Sequence, residues 1–249
     1  MRSGKCLSRL CHGFPAETRR IRESTLEPGI GLGKLSRVTQ LQNMRSMRGL
    51  PTSMLWMLSA ICVSLGLAVV VLGFLGAGER GTGVALQLTA RLSFLLFWLA
   101  YTGGALTALF GPTFQPLKQR AREFGLAFAS AHLAHIGLVI WLCWIGAAPP
   151  VSVFVFFGIA LIFTYALAFF SIGHLQRMLG PSGWWFLRTV GLNYIAYAFA
   201  KDFVKDPLGG GLKHIAAYLP FVVLAVVGPV LRLLASSMRI LQLQKMSCS

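Results

Sequence analysis

Acidic residues are scarce in this sequence of 249 residues, which contains 7 Asp and Glu against 23 Lys and Arg. Charged residues of either sign make up only 12% of the chain, whereas 55% of it is hydrophobic. This shortage of charge excludes a soluble globular enzyme and a disordered tail as descriptions of the whole chain. We expect no nucleic-acid partner, because the bases lie mainly in the N-terminal stretch and in short connections.

A cysteine framework is also missing, since the five cysteines form no CxxC pair and are odd in number. These spacings exclude a disulfide-built secreted module and argue against a structural zinc site. The sequence also contains no HExxH motif, no Gly-rich phosphate loop and no Ser/His/Asp set. We therefore assign no catalytic residue.

Residues 1–53 lack a long apolar run and hold ten bases and three acids. A secretory signal needs an apolar region directly after its charges, and none occurs before Met54. Glu17, Glu23 and Glu27 weaken the alternative of a mitochondrial presequence, which is acid-poor. We predict that this basic stretch is disordered and plays no part in the chemistry, with a mis-assigned translation start as the alternative.

Six apolar runs follow, each near the roughly 20 residues that cross a bilayer as a helix. We place them at residues 55–75, 92–110, 124–145, 152–173, 184–204 and 214–235. The prediction is an all-α polytopic membrane protein with a six-helix transmembrane bundle over residues 54–236 and a short cytoplasmic tail at 237–249. The lipid bilayer is its first predicted partner.

Charge in the connections predicts the orientation of the bundle. Basic residues cluster in every second connection and after the last run: Lys118, Arg120, Arg122, Arg177, Arg239 and Lys245. The opposite connections mix signs, for example Glu79 with Arg80. Because cytoplasmic loops carry the excess of Lys and Arg, we predict that both termini are cytoplasmic, an N-in/C-in topology.

Two histidines, His132 and His135, lie within the third run and share one face of the predicted helix. An ionisable residue at that depth indicates function, because hydrocarbon offers it no partner. Neutral imidazole is a good ligand for haem iron, but each ring could instead hydrogen-bond a neighbouring helix. A non-haem metal site is the third and weakest alternative, because no carboxylate lies near and Cys143 is too far along the helix.

The fifth run carries Arg188 one turn from its inner end and Lys201 one turn from its outer end. Position alone favours two side chains that extend to the lipid headgroups, with Trp184 and Trp185 as an interfacial anchor.

A series of short motifs extends this reading over about residues 91–201. It comprises Arg122-Glu123-Phe124-Gly125-Leu126, His135, Ala166-Leu167-Ala168-Phe169, Ser171, Gln176-Arg177, Leu179-Gly180, Trp184 and Leu187. The series resembles the ferric reductase-like transmembrane domain family. Within it, the nearest likeness is to the haem-binding membrane subunits of bacterial methionine-sulfoxide reductase systems, which implies a bacterial inner membrane.

The resemblance implies a six-helix domain that holds haem b between its third and fifth helices and passes electrons across the membrane. The ligand position on the third helix corresponds to His135, whereas the two histidines expected on the fifth are replaced by Arg188 and Lys201. Arg cannot donate a lone pair to iron, and Lys can do so only when deprotonated. The remaining alternatives are a site using His132 with His135, ligation by Lys201, a five-coordinate haem, or no haem.

Our first functional hypothesis is therefore a membrane-embedded electron-transfer component with a degenerate haem-ligand set. As an oxidoreductase subunit it would need a separate donor, either a quinol or another protein, and an acceptor not identified by the sequence. We expect no flavin or nicotinamide domain, because only 14 residues follow Ala235. The alternative is a haem-free membrane scaffold, assembly subunit or permease that retains the fold.

Overall fold

The computed structural model describes residues 52–172, 175–204 and 211–247, and these contain helices and turns but no strand. The predicted stretch 1–53 therefore lies almost wholly outside the described residues. The helices are α1 (Thr52–Leu75), α2 (Glu79–Phe110), α3 (Gln115–Gln119), α4 (Ala121–Trp144), α5 (Val151–Ser171), α6 (Gly180–Val204) and α7 (Gly211–Ser247). Short 3-10 turns occupy Pro112–Phe114 and Leu175–Leu179. The prediction of an all-α fold is confirmed for this part of the chain.

Five helices are long and apolar enough to cross a membrane: α1, α2, α4, α5 and the Ile215–Gln242 part of α7. Their length and composition indicate an integral membrane protein. The remaining predicted crossing, the fifth run, corresponds to α6, which has 25 residues but is less apolar because it carries Arg188, Asn193, Lys201 and Asp202. The structure thus supports five of the six predicted crossings on composition alone.

Large apolar side chains cover the outside of the bundle, as lipid contact requires. Phe74 on α1 is 86% exposed and Ile162 on α5 is 69% exposed, and several other large apolar residues on both helices are exposed too. A soluble protein rarely exposes continuous apolar surface on this scale. A bilayer is therefore the environment that suits these faces.

Two helices are longer than their apolar runs. The second run was predicted from residue 92, but α2 begins at Glu79 and so includes Arg91, whose guanidinium lies 4.9 Å from the ring centroid of Tyr218 on α7. The apolar pattern missed these turns because they contain polar residues, of which Thr82 and Thr89 are buried and Glu79, Arg80 and Gln87 are exposed. At the other end, α7 continues through Pro220 and Pro229 to Ser247, so most of the predicted tail at 237–249 is helical.

The helices pack around a shared aromatic core, and α2 packs against α7 as well as against α1 and α4. Helix α4 packs against α1 and α2, while α6 packs against α5 and α7 and makes no extensive backbone contact with α4 in the described residues. Aromatic side chains from α2, α4, α6 and α7 fill much of the space between these helices: Phe94, Phe97, Phe128, Phe199, Phe203 and Phe221. The unfilled remainder forms two cavities, one towards each end of the bundle.

Candidate functional site

The cavity that contains both predicted histidines has a volume of about 460 Å³ and lies between α2, α4, α5 and α6. His132 and His135 line it from α4, and Asp202 contributes a carboxylate from α6. Most of its other lining residues are apolar, including Leu86, Val139, Phe157 and Leu161. We call this space the histidine cavity, and its size and lining are typical of a binding site for an apolar small molecule or cofactor.

A hydrogen bond between His135 and Thr89 bears on which ring nitrogen of His135 carries the proton. His135 Nδ1 lies 3.1 Å from the hydroxyl oxygen of Thr89 on α2. That hydroxyl donates its only hydrogen to the backbone of its own helix, to Ala85 at 2.9 Å or Leu86 at 3.1 Å. The tautomer with the hydrogen on Nδ1 keeps both contacts, because the Thr89 oxygen then accepts from His135 while its own hydrogen bonds the backbone. In that tautomer Nε2 keeps its lone pair.

This arrangement is the one that metal-ligating histidines adopt. A ligating imidazole usually donates its second ring nitrogen to a fixed acceptor, which sets the tautomer and the ring orientation. Thr89 is buried and its hydroxyl is held by the α2 backbone, so the acceptor does not swing away. His135 is thus presented to the cavity with one nitrogen able to bind a metal ion or to accept a proton.

His132 is held differently, although it lies one turn away on the same helix. Its ring stacks on the ring of His135, with centroids 5.2 Å apart and planes 13° apart, and it also approaches Phe128. Its Nδ1 atom is buried and has no hydrogen-bond partner. No contact with another helix fixes its tautomer through that atom, so His135 is the better prepared of the two ligands.

Among the residues that the structure describes, the cavity wall that faces α4 supplies no second nitrogen or sulfur ligand. The α6 residues that line the cavity are Ile195, Ala198, Phe199 and Asp202. Two imidazoles that project from one helix with nearly parallel rings cannot bind opposite faces of a single haem iron. In the described residues, moreover, no three His, Cys, Asp or Glu side chains are grouped so that they could hold a metal ion. The donor set fits a haem with one axial histidine and does not fit a bis-histidine haem.

The structure separates the two fifth-run cations from the histidines. Lys201 is exposed, and its Nζ lies 3.9 Å from the ring centroid of Phe156, outside the histidine cavity. Arg188 lines the second cavity, at the opposite end of the bundle. Neither residue is brought to His135, so the predicted alternative of ligation by Lys201 gains no geometric support.

Several polar residues near the site were not singled out by the sequence reasoning. Thr89 gave no signal, because its partner is distant in the chain and a threonine in an apolar helix is common. The same holds for Tyr101, whose hydroxyl donates to Asn193 Oδ1 at 2.8 Å. Arg232, which lies inside the last apolar run and over the Tyr101 ring, could have been found, because an arginine at that depth indicates function by itself.

Comparison with known proteins identifies no relative of this chain. No protein-family model matches the chain, and no curated protein or solved structure matches it either.

Proposed function

We propose that this protein is a membrane-embedded electron-transfer component of the ferric reductase-like class, which binds haem b in the histidine cavity with His135 as its axial ligand. The observation that carries the proposal is the Thr89–His135 hydrogen bond beside an apolar cavity of about 460 Å³. In the tautomer that donates from Nδ1 to Thr89, Nε2 of His135 keeps a lone pair for a metal ion. When bound, haem supplies a one-electron carrier. An oxidoreductase subunit of this kind needs a separate donor, a quinol or another protein, and a separate acceptor.

The residues of the chain have three roles in this proposal. His135 binds the iron, and Thr89 positions it by accepting the Nδ1 hydrogen. The apolar lining from α4 and α5 excludes water from the site, which favours binding of a flat apolar group. His132 lies beside His135 and offers a second imidazole on the same face rather than a ligand from the opposite side.

A haem-free protein is the second candidate, and one observation favours it. The α6 wall opposite His135 carries no His, Met, Cys or Lys, so the site lacks the second ligand that the resemblance implies. In that case the Thr89–His135 bond would join α2 to α4, and the protein would act as a scaffold, an assembly subunit or a permease.

The test compares His135 with His132, which lies on the same helix, lines the same cavity and has the same imidazole side chain. We expect the detergent-purified full chain, expressed with ample haem, to show a reduced-minus-oxidised b-type absorption band and stoichiometric extractable haem. His135→Ala should abolish both, while His132→Ala should retain most of the haem, with thermal unfolding used to check that each variant is folded. A wild-type protein without absorption would overturn the haem proposal and support the scaffold. Loss in His132→Ala alone would move the ligand to His132.

The same proposal includes six crossings in an N-in/C-in bundle in a bacterial inner membrane. Helix α6 has 25 residues, which at about 1.5 Å per residue gives a length of roughly 37 Å, more than the hydrocarbon layer. Two of its polar residues are satisfied inside the protein, since Asn193 accepts from Tyr101 and Tyr194 donates to the Phe156 carbonyl at 3.1 Å. The exposed Arg188 and Lys201 lie near the ends of the predicted run, where their side chains can reach the headgroups. Polar groups satisfied inside the protein are tolerated in a membrane helix.

A further inference from the structure

A second cavity lies at the end of the bundle opposite the histidine cavity. It has a volume of about 360 Å³ and is bounded by the ends of α2 and α5 and the beginnings of α4 and α6. The two cavities share Phe128, Thr164 and Ile195 in their linings, so these side chains separate them near the middle of the bundle. We call the second space the basic cavity.

The basic cavity is lined by three cations and no acid. Lys118 comes from α3, Arg122 from α4 and Arg188 from α6, and no Asp or Glu is among the described residues that line it. Glu123, next to Arg122 in the chain, does not line it. Cations gathered without a carboxylate repel one another, and an anion bound among them removes that cost.

A fourth cation strengthens this field from the next helix. Arg188 is close enough to Arg232 on α7 for their charges to repel. Arg232 Nη1 is buried and has no hydrogen-bond partner. The guanidinium of Arg232 instead lies 4.4 Å from the ring centroid of Tyr101. The inner end of the α6–α7 pair therefore carries uncompensated positive charge beside the cavity.

One of the three cations already donates hydrogen bonds within the protein, so fewer side chains are free to contact an anion. Arg122 donates from Nε, at 2.9 Å, and from Nη2 to the carbonyl of Ser171, the last residue of α5. This bond fixes the guanidinium at the edge of the cavity. Lys118 and Arg188 are both exposed and line the same space, so they are the side chains with freedom to close on a ligand.

The remaining lining makes the cavity amphipathic. Polar groups of Gln119 and Gln176 accompany the cations, while Phe97, Leu126, Leu167 and Leu192 form an apolar wall. A ligand that satisfies both parts carries an anionic group and a hydrocarbon portion. Basic pockets between membrane helices bind lipid headgroups in this way.

We propose that the basic cavity binds the phosphate group of an amphiphile, with the phosphate held between Lys118 and Arg188 and the hydrocarbon portion against the apolar wall. An anionic phospholipid of the surrounding leaflet supplies this chemistry, and a soluble phosphate ester is the other source. Arg recognises phosphate through paired N–H donors, and Lys binds it as a compact charge. The inference does not depend on haem, because it concerns a different cavity.

The test measures retained phospholipid on the full chain. The protein is placed in phosphatidylcholine nanodiscs with or without phosphatidylglycerol, and bound lipid is counted by native mass spectrometry. We expect selective retention of phosphatidylglycerol, weakened about tenfold or more in Arg188→Gln and in Lys118→Gln. Arg177→Gln is the matched control, because Arg177 is also exposed at this end of the bundle but does not line the cavity.

The outcomes separate the possible sources and the two proposals. Displacement of the lipid by glycerol 3-phosphate, or binding of that ester without lipid selectivity, supports the phosphate site with a soluble source. Equal retention in Arg188→Gln, Lys118→Gln and Arg177→Gln, or no selectivity for either ligand, overturns the proposal. Lys118 is exposed on the short helix α3, so its variant remains informative should Arg188→Gln fail to fold. Retention in His135→Ala should equal that of the wild type, which keeps this result independent of haem.

Discussion

At the residue scale, one hydroxyl determines what His135 can do. In the tautomer with the hydrogen on Nδ1, Thr89 accepts from His135 while donating its own hydrogen to the α2 backbone. Thr89→Val keeps the shape of the side chain and removes the acceptor. We therefore expect haem affinity to fall about tenfold or more, the usual effect of losing the hydrogen-bond partner of a metal-ligating histidine. Haem titration followed by visible absorption measures this change.

Thr164 provides the matched control for Thr89. It is also buried and also donates to the carbonyl four residues earlier, at 2.9 Å to Ala160. Thr164 lines the histidine cavity, but no bond from Thr164 to His135 is present. Thr164→Val should leave haem affinity nearly unchanged, and Thr89→Ser should restore most of what Thr89→Val loses. Equal losses in both valine variants would show that Thr89 acts through packing and not through the His135 tautomer.

At the element scale, the tight connection between α1 and α2 depends on two glycines, Gly76 and Gly81. Gly76 adopts a φ of +80°, and its carbonyl oxygen approaches Gly81 so closely that a Cβ there would collide with it. Gly81→Ala should destabilise the protein by about 1–3 kcal/mol, the usual cost of overpacking. Gly83→Ala, on the same helix with nothing within 4 Å of its Cβ, should be neutral or stabilising by up to about 1 kcal/mol. Thermal unfolding in detergent compares them, and equal melting temperatures would contradict this account of the turn.

The existence of the elements follows from the sequence more fully than their ends do. Apolar runs locate α1, α4 and α5 closely, because lipid contact demands apolar side chains along the whole helix. The search for apolar runs did not detect the first turns of α2, which include Arg91. Arg91 packs on an aromatic ring of α7, a contact between residues distant in the chain. The low hydropathy of α6 has the same origin, since Asn193 and Tyr194 bond within the protein.

In the candidate site, too, features that depend on residues close in the sequence could be predicted, and features that depend on residues distant in the chain could not. His132 and His135 could be paired from the sequence because both lie on one helix at a spacing of three residues. Thr89 could not, because its role depends on how α2 packs against α4. The opposite wall of the histidine cavity could not be predicted from the sequence either. The sequence placed Lys201 on the correct helix, but it could not show that the Lys201 ammonium group lies over Phe156.

At the scale of the whole molecule, the two cavities divide the bundle into a histidine half and a basic half. The residues that begin α4 and α6 line the basic cavity, and those that end them line the histidine cavity. With an N-in/C-in topology the basic cavity faces the cytoplasm, where positive charge is favoured. The histidine cavity then faces the opposite side. Orientation therefore decides from which compartment each site can be reached.

The topology can be tested with two cysteines that flank α6 and α7. Gln176→Cys, introduced into a chain whose cysteines are otherwise replaced except Cys248, places one thiol before α6, while Cys248 follows α7. If both helices cross the membrane, the two thiols lie on the same side, and a membrane-impermeant maleimide added to inverted inner-membrane vesicles should label both. If only α7 crosses, the thiols lie on opposite sides and only one reacts. Ala147→Cys, between α4 and α5, is the control expected to react from the other face, since one crossing by α5 separates it from residue 176. Labelling of both thiols only in intact, right-side-out cells would keep the six crossings but reverse the N-in/C-in orientation.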